Sequence, residues 1–128
     1  MAGIHQEIQF SANPARVYEA LTQATAFSAF SGAPAEIGAR EGDAFSLFGG
    51  MVTGRHLELV PAQRVVQSWR AGNWAPGIHS VVRFELAAAG TGTRLTFDHA
   101  GFPPEMQAHL EDGWQQMYWS KITQWLAH

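Results

Sequence analysis

The chain has 128 residues and a net charge of −3, from eight basic and eleven acidic side chains, with no cysteine. That length predicts one domain over residues 1–128, burying roughly two thirds of its unfolded surface without a staple, and the missing cysteines exclude disulfides, thiolate nucleophiles and zinc–thiolate sites. No basic cluster marks a nucleic-acid footprint, no window approaches the ~20 apolar residues of a membrane span, and the start at Met1–Glu7 predicts no secretory signal.

In chain order, Ile4, Ile8 and Phe10 share one face of an expected strand over residues 4–10. Asn13-Pro14 then opens a helix, with Asn13 as cap and Pro14 in the first turn. Val17, Tyr18 and Leu21 form its apolar stripe, and a second short helix is expected over Ala24–Phe30. From there the period changes from helical to two. Strands are expected at Ala35–Gly38, Ala44–Phe48, Val52–Val60, Arg64–Arg70, Ile78–Ala87 and Thr93–Ala100, with Gly, Pro, Asn and Asp punctuating the gaps. Ile78, Ser80, Val82, Phe84 and Leu86 share a face, as do Leu95, Phe97 and His99, while Arg83, Glu85, Arg94, Thr96 and Asp98 point to solvent.

Pro103-Pro104 starts a long helix over Glu105–Leu126, about 33 Å at about 1.5 Å per residue. At ~100° per residue, Met106, Leu110, Trp114, Met117, Tyr118, Ile122 and Trp125 fall on one broad face. The order strand, two helices, six strands, long helix predicts an α+β helix-grip fold, a curved antiparallel sheet of about seven strands wrapped around the C-terminal helix. A cavity is expected between the two.

Gly42-Asp43-Ala44-Phe45, Gly54-Arg55-His56-Leu57-Glu58-Leu59-Val60-Pro61 and Arg64-Val65-Val66-Gln67-Ser68-Trp69-Arg70 resemble strands of the SRPBCC or START-like superfamily. So do Gly92-Thr93-Arg94-Leu95-Thr96-Phe97-Asp98-His99-Ala100-Gly101-Phe102 and Gly113-Trp114. The branch is similar to the C-terminal domain of the activator of the heat-shock-protein-90 ATPase. Members elsewhere in the superfamily bind lipids, polyketides or hormones, and some are cyclases. The resemblance therefore implies a ligand cavity, a cyclase-like site or a stress-response interaction module. The activator after which the branch is named also has an N-terminal domain, and the resemblance over residues 4–126 is expected to be to its C-terminal domain alone.

Several side chains are candidates for that chemistry. Lys121 lies between Met117 and Trp125 on the apolar helix face, either as a snorkelling stem or as a desolvated amine acting as base or nucleophile. His99 ends an inward strand face and can exchange a proton near neutral pH. Asp98 points the other way, so an Asp98–His99 dyad is disfavoured. No histidine pair has zinc-ligand spacing, no Gly-x-Ser-x-Gly turn presents a serine nucleophile, and neither a metal nor an organic cofactor is expected. Gly49-Gly50 and Gly90-Thr91-Gly92 read as hairpin turns, not phosphate cradles, since neither opens a helix. Phe30, Phe48, Trp74 and Phe102 are further aromatics that either fill the core or contact a ligand. Trp119 falls ~180° from Leu110 on the helix wheel. It is expected to face outward, where a homodimer contact would cover it.

The combined expectation is non-catalytic binding of a small apolar or aromatic molecule in the cytoplasm. Trp69, Phe84, Phe97, His99, Trp114, Met117, Tyr118 and Lys121 are the expected lining. A cyclase- or hydrolase-type enzyme using Lys121, His99 or Tyr118, and a co-chaperone-like interaction module, are the alternatives.

Overall fold

The computed structural model describes residues 3–127. Strand β1 (Gly3–Phe10) leads into helices α1 (Pro14–Thr22) and α2 (Ala24–Ser31). Six strands follow: β2 (Glu36–Ile37), β3 (Ala44–Leu47), β4 (Val52–Val60), β5 (Arg64–Ala71), β6 (Ser80–Ala89) and β7 (Gly92–Ala100). A helical stretch from Pro104 to Leu126 closes the chain. All seven strands form one antiparallel sheet in the order β1-β7-β6-β5-β4-β3-β2. This is the helix-grip arrangement that the element order predicts. Among the described residues no helix is long and apolar enough to cross a membrane.

Local chemistry sets the element ends. The Asn13 side chain accepts from the Arg16 backbone N–H at 2.9 Å, and Pro14 occupies the first turn of α1, where its missing N–H has no cost. α2 stops at Gly32, whose left-handed backbone (φ 73°) lets its N–H reach the Ser28 carbonyl. The two residues Gly90-Thr91 turn β6 into β7. Along β6 the alternation is as expected, with Ser80, Val82, Phe84 and Leu86 buried. That strand starts two residues later than the pattern suggests, and Ile78 is 38% exposed. The cause is Arg70, whose guanidinium donates to the carbonyls of Trp74, Ala75 and Ile78 and holds the preceding segment as a loop.

The helical stretch departs from the sequence reading at one point. A 3₁₀ turn (Pro104–Met106) and helix α3 (Gln107–Gly113) are followed by a π segment, Trp114–Trp119, before helix α4 (Ser120–Leu126). Hydrogen bonds of the i→i+5 type admit one extra residue into the turn, and one residue is worth about 100° of rotation. Trp119 is thereby rolled from the far side of the helix onto the sheet. It is 2% exposed, donates its indole N–H to Gln6 Oε1 on β1 at 2.7 Å, and meets Phe10, Phe84 and Phe97 within 6.4 Å between ring centres. The outward Trp119 and its dimer contact are therefore corrected: the residue belongs to the core.

Replacing Trp119 with alanine should cost about 3–5 kcal/mol of unfolding free energy, as for a buried aromatic. An exposed residue would change stability by about 0.5 kcal/mol or less. Urea denaturation of parent and Trp119→Ala separates the two.

Candidate functional site

Trp114 on the π segment is the hub of an aromatic cluster between helix and sheet. Its ring centre lies 4.3 Å from Phe97, 4.2 Å from Tyr118, 5.3 Å from Trp69 and 5.8 Å from Trp119. Its indole N–H donates to His99 Nδ1 at 3.1 Å. That bond requires Nδ1 to be unprotonated, so the neutral ring carries its hydrogen on Nε2. Nε2 donates to Ser80 Oγ at 2.8 Å, and the Ser80 hydroxyl donates to the Trp69 carbonyl at 2.7 Å. Every donor in this relay meets an acceptor. Burial pushes the His99 pKa down to about 3, which keeps the ring neutral. His56, also buried, is lowered for the same reason and turns its Nε2 to the Gly38 carbonyl at 3.1 Å.

In front of Trp114, away from His99, an open cavity of about 470 Å³ lies between the helix and the ends of β4 and β5. Trp69, Trp114, Met117 and Tyr118 line it together with Phe48, Met51, Val52, Ala71, Gly72, Asn73, Met106, His109, Leu110 and Gly113. Three of the chain's four methionines are in that set. No Asp, Glu, Lys or Arg contributes to the wall. Burial raises the Tyr118 phenol pKa, so the hydroxyl keeps its proton. Phe48 has a positive φ of 54°, a strained conformation for a bulky residue. Its ring is held there against Phe27 and Tyr118 at 5.4 and 5.7 Å. Among the described residues no three His, Asp or Glu side chains cluster closely enough to hold a metal ion.

With this geometry in place, relatives become informative. The family model described as "Activator of Hsp90 ATPase homolog 1-like protein" matches residues 11–127. The chain belongs to this family. It is 29% identical over 115 residues to the human activator of 90 kDa heat shock protein ATPase homolog 1, covering 90% of this chain and 34% of the relative. The Dictyostelium discoideum homolog is 28% identical over 115 residues, covering 89% and 30%. The chain thus spans about a third of the length of these curated relatives. An HSP90 activator from Plasmodium falciparum has the same fold, with a TM-score of 0.93 at 23% identity over 99% of this chain and 97% of that one. The Aha1 dimer from Colwellia psychrerythraea gives 0.82 at 23% identity over 98% and 96%.

Within this activator-like fold the expected site residues separate into two layers. Trp69, Trp114, Met117 and Tyr118 meet at the cavity wall. Phe84, Phe97 and His99 are buried behind Trp114 and do not reach it, and Lys121, half-buried on α4, is not part of the wall either. Met117 is 43% exposed and stands at the rim. Asp98 points outward, as its strand position implies, and pairs with His5 of β1 at 2.7 Å. Met51, Met106 and His109 escaped sequence reasoning because two elements distant in the chain bring them together. The available signal was the i, i+3, i+7 and i+11 spacing of Met106, His109, Gly113 and Met117 on one helix face.

His99 makes stability depend on pH in a definite direction. Its folded pKa lies below the unfolded value of 6.5, so between those two values the unfolded chain binds the extra proton. The stabilisation is complete above pH 6.5 and falls as pH drops towards about 3, by at most ~1.4 kcal/mol per pH unit. Comparing urea midpoints of parent and His99→Gln from pH 7 downward isolates the effect. The two curves should converge on acidification; parallel curves would show that the imidazole is not buried neutral.

Proposed function

We propose that this chain binds a small apolar or aromatic molecule in the cavity without transforming it. The lining supports this reading. It combines four aromatic rings, three methionines and few polar groups, and a volume of about 470 Å³ falls in the ordinary range for ligand sites. Methionine side chains are flexible and polarisable, so such a wall adapts to ligands of different outline. Catalysis is less well supported. Both His99 nitrogens are engaged behind Trp114, Lys121 is outside the wall, and the Tyr118 phenol is held protonated.

The family favours a second reading, an interaction module acting on an Hsp90-type chaperone, since the curated relatives are named as activators of that ATPase. Stimulation of a purified Hsp90 ATPase by this chain alone would support it. The Colwellia structure is a dimer, and a second copy of this chain would then cover exposed apolar residues such as Leu57 and Val81, not Trp119.

Gly113 supplies the test of the cavity. It is helical (φ −60°, ψ −42°), lines the cavity, and a Cβ built on it meets nothing within 4 Å. Gly113→Phe should plug the cavity from a position where a side chain fits. Replacing a helical glycine should also leave the melting temperature equal to or above that of the parent. The neutral dye N-phenyl-1-naphthylamine, with roughly seventeen heavy atoms at ~0.3 kcal/mol each, should bind the parent with a dissociation constant on the order of 0.1 mM. Saturable dye fluorescence in the parent and its loss in Gly113→Phe are expected. Equal binding by both proteins would place the dye elsewhere and refute the cavity reading.

A further inference from the structure

Every sulfur-bearing side chain among the described residues stands on the cavity. The chain has no cysteine and four methionines, and Met51, Met106 and Met117 all belong to the wall. Met51 follows the turn at Phe48, while Met106 and Met117 lie eleven residues apart on the C-terminal helical stretch. At about 1.5 Å per residue those two are separated by about 16 Å along the helix, so each methionine covers its own part of the wall. Their access to water differs. Met51 is 70% exposed, Met117 is 43% exposed, and Met106 is half-buried. Exposure governs how readily a thioether meets a dissolved oxidant, so an oxidant acting on this chain finds its two most accessible targets at the mouth of one cavity.

Hydrogen peroxide passes one oxygen to a thioether: the S–O bond forms as the O–O bond breaks, and the second oxygen leaves as water. Sulfur is oxidised, the peroxide is reduced, and the side chain becomes a polar sulfoxide. A sulfoxide oxygen held against apolar rings without a donor is unfavourable, so it turns to water and lifts the thioether off the surface a ligand needs. Asn73 and His109, the polar side chains of the wall, are themselves exposed, so a bond to either also draws it outward. A bond to the Tyr118 hydroxyl would place the sulfoxide inside the cavity, in the ligand's place. We propose that Met51 and Met117 are oxidation sites that switch the cavity off for apolar ligands. A sulfoxide reductase reverses the step, two thiols becoming a disulfide as the oxygen leaves in water. This rests on the cavity-binding reading and adds its regulation.

The test titrates the unmutated chain with N-phenyl-1-naphthylamine before and after hydrogen peroxide, with peptide masses reporting which methionines gain an oxygen. Met51 should be oxidised fastest and Met106 slowest. Once Met51 and Met117 are oxidised, the dye's dissociation constant should rise about tenfold, while circular dichroism and the melting transition remain those of a folded protein. Methionine sulfoxide reductases of both stereospecificities, with dithiothreitol, should restore binding. The double variant Met51→Leu/Met117→Leu removes both sulfurs. Whatever its own starting affinity, peroxide should change it by about twofold or less. Four results would overturn the inference and leave the cavity reading standing: unchanged dye affinity with Met51 and Met117 oxidised, Met106 oxidised ahead of both, loss of binding through unfolding, or equal loss in the double variant. No saturable dye binding by the unoxidised chain would overturn both.

Discussion

The hydrogen bond from the Trp114 indole to His99 is the contact on which the rest of the architecture depends. It ties the C-terminal helix to β7, and the relay continues through Ser80 on β6 to the Trp69 carbonyl on β5. One chain of three hydrogen bonds thus fixes the helix against three adjacent strands. A purely apolar contact would tolerate sliding of the helix by a fraction of a turn. The relay does not, because any slide leaves a buried donor or acceptor unmet, and each such group is costly in a low-dielectric interior. The relay also assigns a role to His99: with both nitrogens bonded and its pKa pushed down by burial, it acts as a structural pin between Trp114 and Ser80.

Pinning Trp114 has a geometric consequence along the helix. Trp114, Tyr118 and Trp119 are all buried, yet a regular α-helix would spread residues i, i+4 and i+5 over about 140°. The π segment narrows that spread and lets all three rings face the sheet. π turns are uncommon and recur at functional positions. Here the segment supplies three cavity-wall residues, Trp114, Met117 and Tyr118. On the opposite wall Phe48 holds a strained left-handed backbone, with its ring against Tyr118. Both irregularities converge on the same tyrosine at the cavity wall.

This also explains which parts of the molecule were legible in the sequence. Strand alternation in β6 and β7, the Asn13-Pro14 helix start and the apolar helix face are encoded by near neighbours, and each appears where the pattern put it within a residue or two. The curved sheet under a long helix follows from their order. Trp119 was misplaced because one i→i+5 turn changes the phase of everything beyond it, and no local propensity marks that insertion. His99 looked like a cavity residue because it shares the inward face with Phe97. Its actual role follows from a rule that needs the partner to be known: a buried indole N–H requires an acceptor. Met51 joins the cavity only through the turn after the strained Phe48, a tertiary effect outside the reach of periodicity.

The division between a pinned layer and an adaptable one carries the functional argument. Behind Trp114 the hydrogen bonds of the relay are directional and paired, so that layer cannot rearrange without breaking it. In front of it, methionines at the rim and an open face at Gly113 allow changes of shape at small cost. A site of this kind gains little selectivity from outline, because a flexible wall follows whatever enters it. Selectivity must then come from polar groups on the wall, and Asn73 and His109 are the polar side chains placed there beside the Tyr118 hydroxyl. A few polar groups in a soft apolar wall discriminate by chemistry more than by shape.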